Sequence, residues 1–278
     1  MKTIPPALNR SIFLRPIAHR GLHDTSAGMI ENTAAAFAAA IASGYGIECD
    51  LRPLADGTPI VFHDATLDRL IDATGPVSAL TPTDLSRLRY RGSNERILTF
   101  ADLLYLVGGV LPGRVKAHGN GAVARFETPT PLLVEIKSEW QPPDLVFLTA
   151  IAQQASRYHG PIALMSFDPA VIAALQTLAP TVPRGLVSGS YVSAAGDHWW
   201  QGQLAPERAA HLRDLTDFDA VGASFAAYEV AALPTSATTA LRARNIPLFT
   251  WTVRTDADLA LAAPHADAMI FEGFMPRV

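Results

Sequence analysis

Two short apolar runs carry charge at alternate positions, Glu48-Cys49-Asp50 and Glu135-Ile136-Lys137. Along an extended strand, residues i and i+2 share a face. Glu48 and Asp50 then point one way and Cys49 the other, and Glu135 shares a face with Lys137. Two bare carboxylates side by side repel and raise one pKa. A cation relieves that conflict, and Glu135 supplies a third carboxylate. Three carboxylates without a thiolate suit one hard divalent ion, Mg²⁺ or Ca²⁺.

Two histidines stand where they could move protons beside such an ion. His19 closes the run Ile17-Ala18-His19-Arg20-Gly21, and His63 follows Pro59-Ile60-Val61-Phe62. Between Asp50 and the second run lies Asp56-Gly57, a strong hairpin signal. A two-residue turn there pairs 52 with 61 and 50 with 63, which sets His63 opposite Asp50. Imidazoles suit acid–base work near neutral pH. Arg20 offers a planar fork and Lys137 a point charge for a phosphate. Blander readings stand beside these: a structural histidine, a salt-bridged Arg20, a solvated edge strand around residues 48–50. What lends the pattern specificity is its convergence at the ends of three strands.

The elements that must position these groups read as α/β. Short β-branched runs alternate with helical stretches, which predicts a TIM-like (β/α)8 barrel. Strands are expected near 16–19, 46–52, 132–137, 161–166, 184–188, 219–223, 247–253 and 267–271. Helices are expected over 33–43, 82–89, 99–107, 143–157, 169–178, 205–214 and 235–243, with an N-cap at Asn32-Thr33. The run 59–62 follows residues 46–52 too closely for a parallel neighbour, which needs a crossover of about a dozen residues. It is therefore expected as an antiparallel return, a hairpin excursion at the barrel mouth. One domain over 1–278 is expected, with a small insertion at about 67–127 beside the mouth and a Gly/Pro-rich surface loop over 112–131.

Composition agrees with that architecture. The chain has 278 residues, and an α/β barrel typically takes about 250. Hydrophobic residues make up 49%, enough for a large core, and the net charge of −4 lacks the basic footprint of a nucleic-acid binder. Cys49 is the only cysteine, so no intrachain disulfide can form. The start, Met1-Lys2-Thr3-Ile4-Pro5-Pro6, lacks the apolar stretch of about 7–15 residues of a secretory signal. No run reaches the roughly 18 apolar residues of a transmembrane segment. A cytoplasmic protein is the expectation, although a secreted form without its leader would look the same.

Taken together, the motifs resemble the glycerophosphodiester phosphodiesterase family. The matching stretches are His19-Arg20-Gly21, Glu31-Asn32-Thr33 with Phe37, Glu48-Cys49-Asp50, and Asp56-Gly57 through Val61-Phe62-His63-Asp64. Leu67-Asp68-Arg69, Gly75-Pro76-Val77, Leu98-Thr99-Phe100, Glu135-Ile136-Lys137, Ser166-Phe167-Asp168 and Trp251-Thr252-Val253 complete the set. They follow the family's order over nearly the whole chain.

The resemblance implies roles. His19 and His63 match the general acid and base. Glu48, Asp50 and Glu135 match the metal ligands, and Arg20 and Lys137 the phosphate-facing cations. Trp251 matches an aromatic near the substrate, with barrel packing as the other reading. The chain departs from the family at Ile30, where proline is usual, and at Ile270-Phe271-Glu272-Gly273-Phe274, where Thr-Asp is common. Neither departure is expected to touch the acid–base pair or the ligands.

The implied activity is metal-dependent hydrolysis of a glycerophosphodiester to glycerol 3-phosphate and an alcohol, the partner being a small-molecule phosphodiester. A lysophospholipase D or sphingomyelinase D-like activity could use the same constellation. A non-catalytic phosphodiester-binding protein is the reading from another class. The histidine pair argues against it, because binding alone needs no two groups that titrate near neutrality.

Overall fold

Strand β1 (Ile17–Ala18) pairs in parallel with β2 (Gly46–Pro53), while β3 (Pro59–Val61) runs antiparallel to β2. The remaining strands are β4 (Leu132–Ile136), β5 (Ile162–Ser166), β6 (Arg184–Ser188), β7 (Phe225–Glu229), β8 (Leu248–Val253) and β9 (Ala268–Phe271). In this computed structural model, which describes residues 5–108, 129–191 and 204–277, the parallel order is β1-β2-β4-β5-β6-β7-β8-β9. The β1–β9 pairing, Ile17 with Ile270 and Ala18 with Phe271, closes it into an eight-stranded barrel. Helices lie between successive strands, as the alternation of patterns predicts. No helix of the described residues is long and apolar enough to cross a membrane.

The two faces of each strand part cleanly. Ile47, Cys49, Leu51, Leu132, Val134 and Ile136 join the core between strands and helices. Ile17, Leu133, Met165, Val187, Phe249 and Ile270 fill the lumen. A short helix α1 (Arg10–Phe13) places Phe13, together with Leu8, in the same lumen cluster. Glu48 and Asp50 alternate with the outward residues of β2, so they share the lumen side with Leu133.

The first barrel helix, α2 (Ala34–Ala42), begins at Thr33, whose hydroxyl accepts from the Ala36 amide. Thr33 is thus the cap, and Asn32 is released for another task. Gly21 has φ +80°, and a Cβ there would lie 2.8 Å from the Ala36 carbonyl carbon. Only glycine lets the turn after β1 seat against this helix start.

Two strand expectations need correction. The first is register. Leu51 faces Val61, Arg52 faces Ile60, and the Leu54 amide donates to the Thr58 carbonyl. The turn therefore has three residues, 55–57, with Gly57 at φ +80° as its left-handed member. Pairing slips by one residue, and Phe62 rather than His63 donates to the Asp50 carbonyl. The second is the strand expected at 219–223. Residues 215–222 form turns, with Gly222 at φ +63°, and the strand is Phe225–Glu229. Val221 is buried from a turn, packed in the outer core, so its apolar character mimicked a strand.

Helical expectations hold in outline. The expected helix 82–89 is only α3 (Pro82–Leu85). Helices α4 (Phe100–Val107), α5 (Leu145–Arg157), α6 (Pro169–Leu178), α7 (Pro206–Arg213) and α8 (Ser236–Ala243) fall within their expected spans. A further helix, α9 (Asp256–His265), stands between β8 and β9 and was not anticipated. After β3, Leu67, Ile71, Val77, Leu85, Tyr90 and Ile97 form an apolar cluster of their own with Leu54, Ile60 and Phe62. Phe100, Leu103 and Leu104 of α4 instead join the barrel core. The expected loop at 112–131 falls outside the described residues up to 128.

Candidate active site

Barrel strands deliver charge to one mouth. Asp50 of β2 and Glu135 of β4 are register partners, and Glu48 lies one lumen-facing step before Asp50. Glu48, Asp50 and Glu135 each offer an oxygen, and these lie within 4.8 Å of one another. Asp50 is 0% exposed and Glu48 1%.

Two cations sit among them. Lys137 Nζ is 2.9 Å from Asp50 Oδ1 and 2.5 Å from Glu135 Oε1. Arg20 donates its backbone amide to Glu48 Oε2 at 2.9 Å, and its Nε lies 3.3 Å from Asp50 Oδ2. Arg20 Nη1 also donates to Glu31 Oε1 at 2.8 Å. Asn32, buried with φ +57°, donates its amide to Asp50 Oδ2 at 2.9 Å. Arg20 itself has φ +55°. Two non-glycine residues in the left-handed region flank this site, a conformation that costs roughly 1–3 kcal/mol each and gathers at functional sites.

These groups polarise one another's titration. Burial, with the charges of Asp50 and Glu135, pushes the Glu48 carboxyl well above its usual value. Burial acts the same way on Asp50, yet Lys137 and Arg20 outweigh it and hold that carboxyl well below its range. Burial opposes the Lys137 charge, and Asp50 and Glu135 overcome it, so its pKa rises.

Three carboxylates share two cations here, and the raised pKa falls on Glu48, the carboxyl with no side-chain cation in contact. Glu48 Oε1 is buried with no hydrogen-bond partner among the described residues. The donor set fits a hard divalent cation, whose oxygen ligands stand at about 2.0–2.6 Å.

His19 follows β1, and His63 follows β3. Each imidazole is held through Nδ1 by a carboxylate. His19 Nδ1 lies 2.5 Å from Glu272 Oε2, and His63 Nδ1 lies 2.7 Å from Asp64 Oδ1. His19 Nε2 is 3.9 Å from Glu48 Oε2. Burial lowers the His19 pKa against the opposing pull of Glu272. Burial also disfavours the Glu272 charge, but His19, His23 and Arg254 overcome it and hold that carboxyl far below its usual value. Arg69 Nε donates to Asp64 Oδ2 at 2.6 Å, and Arg69 bridges to both oxygens of Glu31. Asp64 is thereby anchored behind His63.

A cavity of about 600 Å³ opens over these groups. His19, Arg20, Glu48, His63, Glu135 and Lys137 line its polar side. Met165, Phe167 and Trp251 line the apolar side, the last two edge to face at 5.4 Å between centroids. Trp251 therefore both packs and lines the cavity. A second depression, about 1050 Å³, lies on the 71–98 segment and holds none of the three carboxylates.

The residues singled out by sequence thus come together around one cavity. Sequence reasoning missed the partners: Glu272 and Asp64 behind the imidazoles, Asn32 on Asp50, and the Glu31–Arg69 bridge. The departure at 270–274 was expected to leave the acid–base pair untouched. Glu272 lies in that stretch and binds His19 directly.

Residues 19–271 match the Glycerophosphoryl diester phosphodiesterase family. A Bos taurus protein named glycerophosphodiester phosphodiesterase 1 is 42% identical over 96 residues, 31% of this chain and 28% of that protein. A Mycobacterium tuberculosis protein, "Probable glycerophosphodiester phosphodiesterase 1", is 30% identical over 175 residues, covering 62% of this chain and 63% of its own length. The chain thus spans under two thirds of either relative. An Oleispira antarctica phosphodiesterase, solved in complex with the product sn-glycerol-3-phosphate, superposes with a TM-score of 0.69 at 20% identity, over 95% of both chains. With a family match running from His19 to Phe271 and a barrel of the same fold, this chain belongs to the glycerophosphoryl diester phosphodiesterase family.

Proposed function

We propose that this protein hydrolyses glycerophosphodiesters, releasing glycerol 3-phosphate and an alcohol, by histidine acid–base catalysis beside one divalent cation. The observation that carries the reading is the pairing of two imidazoles, each tied at Nδ1 to a carboxylate, over a buried three-carboxylate floor. A carboxylate accepting from Nδ1–H fixes the tautomer, so each Nε2 is the nitrogen left for proton transfer. Glu48, Asp50 and Glu135 would hold Mg²⁺ or Ca²⁺. When bound, the ion supplies charge neutralisation at a nonbridging phosphate oxygen.

The chain's own groups do the rest. One imidazole takes a proton from the attacking hydroxyl, and the other gives one to the departing alkoxide. The attacking hydroxyl is the glycerol 2-hydroxyl in our reading, which gives a cyclic phosphate that water then opens. Lys137 and Arg20 supply positive charge beside the phosphoryl oxygens. Lys137 rests against Asp50 and Glu135, and a cation seated there would free its ammonium toward the substrate. Trp251 and Phe167 offer an apolar wall that limits water at the reacting bonds. An insertion at about 67–127 within a single domain belongs to the same proposal, as does the cytoplasmic setting.

The test is release of glycerol 3-phosphate from glycerophosphocholine and glycerophosphoethanolamine, with lysophosphatidylcholine in the same panel. Activity should vanish with chelator and return with Mg²⁺ or Ca²⁺. Turnover of the lysolipid alone would move the protein to the lysophospholipase D reading. Turnover indifferent to chelator would remove the cation from the mechanism, and no turnover of any diester would leave binding as the function.

A further inference from the structure

A second group of potential ligands stands beside the acidic floor. His19, His23 and Glu272 each offer one donor atom, all within 4.8 Å of one another. Glu272 Oε2 is the shared point, 2.5 Å from His19 Nδ1 and 3.6 Å from His23 Nε2. Its other oxygen is held by Arg254 Nε at 2.6 Å, so Oε2 is the oxygen turned to the two rings. Both ring nitrogens of His23 are buried and have no hydrogen-bond partner among the described residues. Nε2 faces Glu272 Oε2 at 3.6 Å, too long for a hydrogen bond, so the ring's hydrogen-bonding capacity is unmet, and an ion or a water would satisfy it.

The donor chemistry differs from that of the floor. Two imidazoles and one carboxylate make the donor set of a three-ligand zinc site with one open position. Carboxylates alone suit Mg²⁺ and Ca²⁺, whereas imidazole favours Zn²⁺ and its neighbours. The spacing suits as well. Bonds of about 2.0–2.1 Å in a tetrahedron put ligand atoms roughly 3.3 Å apart. The 2.5 and 3.6 Å separations bracket that figure, so small side-chain movements would seat an ion.

We propose that His19, His23 and Glu272 form a second, inhibitory cation site, selective for a borderline divalent ion such as Zn²⁺ over Mg²⁺ or Ca²⁺. Binding uses the lone pair of His19 Nδ1, so the imidazole proton must sit on Nε2. That is the nitrogen from which proton transfer proceeds in the function proposed above, and its lone pair is then lost. The ion also takes Glu272 from its role behind His19. The inhibitory part rests on that functional reading, whereas the binding part does not. The Arg254 guanidinium beside Glu272 opposes a cation, which fits a reversible regulatory site better than a permanent structural one.

The test uses the full chain in saturating Mg²⁺. Calorimetric titration with zinc chloride should show one further equivalent bound, and glycerophosphocholine turnover should fall as it fills. Cobalt(II) chloride under the same conditions should give the visible absorption of a nitrogen-ligated, four-coordinate ion. His23→Ala and His23→Gln should keep most Mg²⁺-supported turnover, since Glu272 retains its contacts to His19 and Arg254. Both should raise the zinc concentration for half-inhibition by at least about tenfold, the scale on which even outer-shell partners of a metal act.

The proposal falls if zinc inhibition is unchanged in both variants or is relieved by raising Mg²⁺, which would mean that zinc enters the acidic floor. It falls equally if cobalt shows oxygen ligation alone in the unmodified protein. If no diester is turned over, the functional reading fails separately. The further zinc equivalent, and its loss in the His23 variants, still decides the site.

Discussion

Glu272 offers the sharpest test of how the barrel closure serves catalysis. Its carboxylate accepts from His19 Nδ1 at 2.5 Å and is not itself part of the cavity lining. A hydrogen bond to a charged group contributes about 1.5–3 kcal/mol. If that bond holds the reactive tautomer, its loss should lower kcat by about 10–150-fold, at 1.36 kcal/mol per decade. Glu272→Ala removes the acceptor and should lie at the upper end. Glu272→Gln keeps a carbonyl for Nδ1–H but loses the charge, and should cost about tenfold.

The assay is steady-state release of glycerol 3-phosphate from glycerophosphocholine in saturating Mg²⁺. Calorimetry should find Mg²⁺ affinity unchanged, because Glu272 is outside the three-carboxylate floor. KM should move less than kcat, since the carboxylate is not itself in the cavity lining, although His19 and Arg254, which it holds, both are. Arg254 loses a partner in the alanine variant, but it is half-exposed and water can replace the carboxylate. The reasoning is refuted if Glu272→Ala keeps kcat within about twofold, or if its whole effect appears in KM.

Other measurements bear on the floor and its surroundings. Mg²⁺ at 100 times its Kd should stabilise the fold by about 2.7 kcal/mol, raising Tm by about 5–10 °C. Asp50→Asn should abolish most of that shift in a thermal scan. His19→Ala and His63→Ala should each lower kcat by about 10²–10⁴-fold while calorimetric Mg²⁺ affinity persists. Parallel loss of metal would make that histidine a ligand instead.

Arg69→Ala should destabilise by about 1–2 kcal/mol at neutral pH, a figure discounted because Arg69 is half-exposed. Burial works against ionisation of Glu31 and Asp64, and Arg69 helps to hold both carboxyls below their ordinary values. That contribution is complete above the unfolded carboxyl pKa of about 4 and fades as pH falls below it. Denaturant midpoints of variant and parent should therefore converge on acidification, and a gap constant down to pH about 2 would contradict the assignment.

The alternation in β2 was legible because its cause is local. Period-2 geometry sends Glu48 and Asp50 one way and Cys49 the other whatever the rest of the chain does. Element ends were legible for a similar reason where caps are strong. Thr255 and Asp258 form a capping box at the start of α9, a signal present in the sequence but left unused. The β7 misplacement shows the converse. Val221 is apolar because a turn buries it, and nothing within a few residues distinguishes that from a strand.

Register and remote partners lie beyond local reasoning. Asp56-Gly57 is compatible with a two- or three-residue turn, and a slip of one residue should have sent His63 to the opposite face. It does not, because β3 ends at Val61 and the pleat no longer rules. The direction of His63 is set instead by Arg52 Nε donating to its carbonyl at 2.6 Å and by Asp64 at its Nδ1. The expected neighbourhood was thus reached through a different cause.

Glu272 stands 253 residues from His19, and no motif links them. Closure does: Ala18 pairs with Phe271, so the residues following each become neighbours at the mouth. Any closed barrel that reads its first strand as catalytic should have its last strand inspected at the same height. By that argument the acidic side chains sort by position rather than by type. Those on β2 and β4 share a lumen floor whose mutual repulsion suits a cation, and those just after β3 and β9 meet imidazoles, one at Asp64 and two at Glu272. Exchanging the roles would require moving a strand, which is why the residue types alone could name the donors but not assign every one of them.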